Sequence, residues 1–251
     1  AMVITGKYSA MPHGSIVPQI IQEGDIVLVD GGTSVEGYAS DISRTIVAGK
    51  ASQRQIDVWN IEKQAHLQLL NVIEPGSEFW CNEVKERGAI EVLASIKDGF
   101  YLTKKQIEKI VSRLATIEIE KVVEEISKCG AKFIYPGDKE WPTSLNDLRI
   151  PPFGLIMKGE FEFLSALQNS IAIVGTRNPT PYGARISSEF AAALADREWS
   201  IVSGGAIGID AAAHQGALAA EGITFGVLAG GVNQPYPLSN VRLFNGIQDR
   251  G

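Results

Sequence analysis

Two carboxylates and two glycine-rich loops have the residue types and spacing that chemistry needs. The apolar run IVLVD delivers Asp30, and Asp41 follows across a glycine-rich stretch with Arg44 close behind. Carboxylates on neighbouring strands are the start of a divalent-cation site. Magnesium and calcium ask for about six or more oxygen ligands, so two aspartates alone make a weak, water-rich site. The loops are Gly175-Thr176-Arg177, after SIAIV, and Ser203-Gly204-Gly205-Ala206-Ile207-Gly208, after SIV. Glycine lets the backbone come close to a ligand and take positive φ. A helix N-terminus behind each loop offers free N–H groups and a partial positive charge. Arg177 adds a planar fork of donors suited to phosphate, and Thr176 and Ser203 add hydroxyls. Together the loops read as an anion cradle, although the same glycines would also serve simply to let helix and strand pack tightly. No G-x-G-x-x-G is formed, and no G-x-x-x-x-G-K-[ST] is present, so a P-loop is excluded. Asp210 and His214, one turn apart behind the second loop, read as a helix-start carboxylate and a packed helix residue.

The elements that must position these residues fall into different grammars. At the N-terminus, IVLVD reads as a buried strand, GGTSVEG as a hairpin connection and YASDISRTIVAG as the returning strand. Ser52 to Gln55 forms a capping-box signature. Val58, Ile61, Ala65, Leu69 and Val72 then recur as on one helical face, with a stop near Pro75-Gly76. Charged, helical text follows, with a second capping box at Thr103 and a C-cap at Gly130. FIYPGDKEWPTSLNDLRIPPFGLIMKG is a proline-bearing connector, with Pro151-Pro152 marking a boundary. From residue 170 the chain alternates strand, loop and helix: SIAIVG, PYGARISSEFAAALADREW, SIVSGG, AIGIDAAAHQGALAAEG, ITFGVLAGG, SNVRLFNGIQDRG. That alternation predicts parallel strands joined by helical crossovers, with ligands beside the carboxyl ends of the strands.

The composition, 45% hydrophobic and 21% charged, is that of a globular protein. The net charge of −6 splits as −4 over residues 1–79 and −2 over residues 80–251. Nucleic-acid binding must therefore come from a local patch rather than from bulk charge. No apolar run approaches a membrane span, and no basic-then-apolar leader opens the chain. Cys81 and Cys129 cannot form a disulfide framework or close a zinc site, and read as reduced thiols of a cytoplasmic protein.

AIVGTR, SGGAIGIDAAAHQGAL and GVLAGGVNQPYPLSN, with the upstream YPGDKEWPTSLNDLRIPPFGLIMKG, resemble the DNA-processing family DprA/Smf. The likeness runs from about residue 80 to the end. It implies a Rossmann-like domain that binds single-stranded DNA in a basic pocket, loads recombinase onto it, dimerises, and is not an enzyme. By position it puts phosphate contacts at Gly175, Thr176 and Arg177 and along Ser203 to Asp210, including Gly204, Gly205 and Gly208. Ile207 stands where some members carry a lysine, which removes one phosphate partner. The family's domain continues beyond the residues present here, so an exposed sheet edge and apolar face are expected.

SAMPHGSIVPQIIQEGDIVLVDGGTSVEGYASDISRTIVAGKAS resembles the metallopeptidases of the methionine aminopeptidase and Xaa-Pro peptidase group, over about residues 2 to 76. The resemblance implies a pita-bread fold and two metals that activate water. Asp30 and Asp41 take the positions of the first two metal ligands, and His13 that of the substrate-side histidine. The family's remaining ligands, one histidine and two glutamates, lie further along its pattern. That part of the pattern is not found here, because the text changes family between Pro75 and Trp80.

The expectation is thus an α/β chain in three segments. Residues 1–76 form an α+β peptidase-like fragment, 77–150 a helical and extended connector, and 151–251 half of a doubly wound parallel sheet. The expected function is binding of single-stranded DNA or another phosphate-containing ligand, without catalysis, in a chimeric or engineered fusion. No cofactor is required, beyond a weak divalent metal at Asp30 and Asp41. A metal-dependent Xaa-Pro or methionyl aminopeptidase, and a folded chain with no activity, stay open.

Overall fold

The computed structural model describes residues 2–10, 17–35, 38–74, 76–100 and 104–250, with backbone alone at 33, 35, 38–44 and 104–108. The chain divides into two compact units, Ala1–Glu62 and Lys63–Gly251.

The first unit is an antiparallel sheet of β1 (Met2–Thr5), β2 (Ile26–Val35) and β3 (Tyr38–Val47), in that order. Alternation along β1 and β2 buries Ile4 and Val27. Five residues of the expected connection GGTSVEG, 31–35, belong to strand β2 instead. Pairing runs on through Gly32↔Asp41 as far as Val35↔Tyr38. Glycine weakens a strand without forbidding it, and the β-branched Thr33 and Val35 favour extended backbone. Strand β1 was not expected: MVIT is too short to show a period, and what holds it is its partner. Thr5 fastens it further, its N–H donating to Gln19 Oε1 (2.7 Å) and its hydroxyl to Asp25 (3.0 Å).

Helix α1 (Gln53–Val72) opens on the capping box that the sequence announces. Ser52 N–H donates to Gln55 Oε1 (2.7 Å), and Gln55 N–H donates back to Ser52 Oγ (3.4 Å). The division between the two units falls inside this helix. Its expected stripe divides as well: Val58 and Ile61 are exposed, while Ala65, Leu69 and Val72 are buried.

In the second unit that buried half of α1 shares a core with α2 (Glu78–Arg87) and α3 (Ala89–Lys97), through Trp80, Cys81, Val92, Leu93, Ile96 and Phe153. Cys81 Sγ donates to the Pro151 carbonyl (3.3 Å), and burial pushes its thiol up, which keeps it protonated. His66 is buried too, its Nδ1 donating to the Phe153 carbonyl (2.8 Å). The long helix expected up to Gly130 is two: α4 (Lys104–Thr116) and α5 (Ile119–Lys128). Thr116 turns its hydroxyl back onto the Ser112 and Arg113 carbonyls, and Glu118 is extended. Gly130 does end α5. At φ 72° it donates to Ser127, and Ala131 donates to Ile126, which completes a Schellman motif. The second capping box, at Thr103, lies outside the described residues.

Strands β4 (Lys132–Ile134) and β5 (Leu155–Met157) pair antiparallel. Next comes a parallel sheet in the order β6 (Ser170–Ala172), β7 (Ser200–Ser203), β8 (Thr224–Gly226). The crossovers are α6 (Pro181–Ala195) and α7 (Ile209–Ala219), and α8 (Val241–Arg250) comes after β8. The sheet is partly covered: Phe225 packs on Ile134, Trp141 and Leu164, and Ser200 Oγ donates to Ala166 in the 3-10 turn Phe161–Asn169. Ile171, Val174 and Val227 stay exposed, as a short sheet leads one to expect. Among the described residues no helix is long and apolar enough to cross a membrane.

The α6–α7 contact depends on one missing side chain. A β-carbon on Gly216 would overlap the Ser188 carbonyl. Alanine is the better helix former by about 1 kcal/mol, yet Gly216→Ala is expected to destabilise by about 1–3 kcal/mol, because the helices must move apart. A lower urea midpoint with an unchanged slope checks this.

Candidate functional site

Both glycine-rich loops lie at the carboxyl ends of parallel strands, the first between β6 and α6 and the second between β7 and α7. The structure brings them into contact. A β-carbon on Gly208 would overlap the Thr176 carbonyl and approach Arg177 Cα to 2.9 Å, and Gly208 also needs its φ of 94°. Ile209 N–H, at the start of α7, donates to the Thr176 carbonyl (3.2 Å). Gly175 sits so close to Ile209 that a β-carbon would come within 2.8 Å of its Cγ1. Gly208 is therefore there for close approach of backbone to backbone, and Gly175 to make room for the Ile209 side chain.

Arg177 and Thr176 are exposed. Among the described residues Arg177 has no ion-pair partner. Thr176 Oγ1 accepts from Asn178 N–H (3.1 Å) and stays at the surface. Gly204 is exposed as well. The N–H groups of Thr176, Arg177 and Gly204 form no hydrogen bond among the described residues, so three backbone donors and one guanidinium share this end of the sheet.

Ser203 does something other than expected. It is buried, and its hydroxyl donates to the Ile173 carbonyl (2.6 Å), tying β7 to the end of β6. A hydroxyl has one proton to give, and this one is already given. Gly205 is buried beneath the surface of its loop, where its φ is 70° and a β-carbon would come within 2.6 Å of Phe244. Two other residues matter that spacing did not show. Asp210 is buried and accepts from Gly175 N–H through Oδ1 and from Ala206 N–H through Oδ2, each at 3.3 Å. Asn240 donates to the Gly205 (3.0 Å) and Ala206 (3.3 Å) carbonyls, which fastens the second loop to the segment after β8. An aspartate just inside a helix behind a glycine loop was a visible signal for the first. Asn240 closes the stretch GVLAGGVNQPYPLSN, but its spacing gave no sign of this role.

His214 is the packed residue that the sequence suggested. It is wholly buried, with Nδ1 2.7 Å from Thr224 Oγ1, and Thr224 in turn donates to the Ile201 carbonyl. Since the threonine proton is spent on Ile201, Nδ1 must be the donor, and Nε2 is a bare acceptor without a partner among the described residues. Burial pushes the imidazole down to about 4. The Asp210 charge and the Ser203 backbone pull the other way without prevailing.

In the first unit, Asp30 pairs with Ser43 and Asp41 with Gly32, so the two acids stand one diagonal step apart on the hairpin. His13 and the side chain of Asp41 lie outside the described residues.

Residues 132–251 match the model of the family DNA recombination-mediator protein A, and residues 1–125 match that of metallopeptidase family M24. The putative DNA processing protein DprA of Mycobacterium tuberculosis is 38% identical over 148 residues, covering 53% of this chain and 38% of that protein. The Xaa-Pro dipeptidase of Pyrococcus furiosus is 35% identical over 75 residues, covering 30% of this chain and 22% of that protein. The X-ray structure of DprA from Streptococcus pneumoniae has a TM-score of 0.54 to this one at 25% identity, over 77% of this chain and 64% of that chain. That share necessarily reaches into residues before 132. The chain spans well under half the length of these two curated relatives. Its N-terminal region is M24-like and its C-terminal region DprA-like, within one mixed α/β chain.

The buried imidazole carries a pH signature. A histidine titrating near 6.5 when unfolded and near 4 when folded takes up its proton first in the unfolded chain. Its contribution to stability is complete above pH 6.5 and is lost as pH falls towards 4, by about 3 kcal/mol in all. Urea melts of wild type and His214→Gln across that window are expected to show a shallower pH dependence in the variant.

Proposed function

We propose that the C-terminal unit binds the phosphodiester backbone of single-stranded DNA on the surface where the loops after β6 and β7 meet. One observation carries this reading: two glycine loops meet at the carboxyl ends of parallel strands, with an exposed Arg177 that no described acid neutralises. The match to a DNA recombination-mediator family and the likeness to DprA proteins support it. Arg177 would take a phosphate through its fork of donors, and the N–H groups of Thr176, Arg177 and Gly204 would take the remaining oxygens. Gly175 and Gly208 serve by letting the loops close, and Gly205 by letting its loop settle onto Phe244. Ser203 serves by fixing β7. No bond is made or broken in this role, which is recognition by charge and geometry. Recombinase handling and dimerisation belong to the proposal only as properties of the parent family.

The first unit is read as a scaffold without peptidase turnover. The metal-bearing group implied by its family does not fit the donor set here. Asp30 and Asp41 together bring two carboxylates, whereas a hydrolytic pair of metals needs about five or six protein donors around the activated water. A single hydrated divalent ion, held weakly, is the most these two acids would support. Incubation with an Xaa-Pro dipeptide and manganese or cobalt is expected to release no free proline. Metal-dependent release would overturn this reading of the first unit.

For the second unit the test is fluorescence anisotropy of a labelled single-stranded oligonucleotide over a salt series. Affinity is expected to fall linearly on a log–log plot as salt rises, because phosphate contacts release counterions. Arg177→Ala is expected to weaken binding and to reduce that slope by about 1. Equal binding by wild type and variant at every salt concentration would sink the proposal.

A further inference from the structure

We infer that Asp210 is the clasp that sets the spacing of the two loops, and hence a positioning residue for the phosphate they hold; the inference rests on the phosphate-binding reading above. Each oxygen of the carboxylate has its own task. Oδ1 accepts from Gly175 in the first loop and Oδ2 from Ala206 in the second, both at 3.3 Å. The donors belong to different crossovers, so the residue does more than complement the start of α7. Its charge has the wrong sign for a neighbour of a bound anion. Hydrogen bonding to two loops, not attraction of the ligand, accounts for an acid here. The surroundings are built around it: a β-carbon on Gly204 would lie 2.9 Å from Oδ2. His214, one turn further along α7, is held through Thr224, and so leaves the carboxylate to the two amides. A second tie, from Ile209 N–H to the Thr176 carbonyl, closes the other side of the joint. Thr176 N–H lies between these two fixed points and Arg177 N–H directly after the second, and neither has a partner among the described residues. Asp210 holds their immediate neighbour Gly175, and so it fixes where those donors lie.

The test compares wild type, Asp210→Asn, Gly204→Ala and Arg177→Ala, with a labelled single-stranded oligothymidylate as the probe. Backbone amide exchange is measured on each protein. Asparagine keeps one acceptor oxygen and sheds the charge. Were charge all that mattered, it would tighten binding. The clasp predicts instead a loss of about 10-fold, the usual effect of removing a buried charge-assisted hydrogen bond. The Gly175 and Ala206 amides should exchange faster in the variant, while Ile201 in β7 keeps its protection. A purely global loss of stability would speed all three together, and that outcome would overturn the assignment. Gly204→Ala drives a methyl group against Oδ2 and should reproduce the loss with the carboxylate still present. If Asp210→Asn does not fold, this variant decides, and unchanged binding by it overturns the clasp. Weakening by Arg177→Ala with none from Asp210→Asn or Gly204→Ala overturns the clasp alone. No weakening by Arg177→Ala overturns the phosphate reading as well.

Discussion

The close approach of the loop after β6 to the loop after β7 is the constraint on which the rest of the second unit depends. It leaves no volume for a side chain at 208, and at 175 none that Ile209 would tolerate. It directs the first N–H of α7 into the Thr176 carbonyl and places a buried carboxylate between two backbone amides. Once the strand ends are this close, Ser203 must satisfy Ile173, and Asn240 must satisfy the carbonyls on the far side of the second loop. Each buried backbone group left unpaired at such a junction would cost about 1–3 kcal/mol. The donors left for a ligand are the small set that these internal demands do not use.

The alternating part of this architecture was legible. Each of the three runs SIAIV, SIVS and ITFG became a strand of the parallel sheet, and the amphipathic stretches between became α6 and α7, because period and length were both unambiguous there. Ser52, Gln55 and Gly130 were legible for a different reason: caps are decided within four residues. Long-range pairing was not legible. Strand β1 exists only by virtue of β2, and the run of β2 through two glycines depends on β3. The break between α4 and α5 turns on a threonine hydroxyl facing backwards, which propensity does not report. At the site, residue types located the loops, but spacing could not say that Ser203 faces inward or that Asp210 serves two loops at once.

The seam between the two resemblances is also not the seam of the structure. The peptidase-like text was expected to end near residue 76 and the family match runs on to residue 125, whereas the compact units divide after residue 62. Ala65, Leu69 and Val72 share a core with Trp80, Val92 and Phe153, so the second half of α1 belongs structurally to the second unit. Hydrophobic faces do not respect the origin of a segment. A helix supplying apolar residues at the right period is accepted by whichever core it can fill.

The solitary guanidinium of Arg177 has a kinetic consequence. Many surface arginines must first leave an acid before they can meet a phosphate, and that exchange adds a barrier to binding. Arg177 has no such ion pair among the described residues, so its encounter with an anion is limited by approach. Approach is where the net charge of −6 acts. Within about 10 Å, the screening length near 0.1 M salt, the net negative charge opposes a polyanion while Arg177 favours it, and beyond that distance both effects are largely screened. On the phosphate-binding reading, moderate salt would therefore ease arrival while weakening the contact itself, and residence time rather than capture rate would carry most of the affinity.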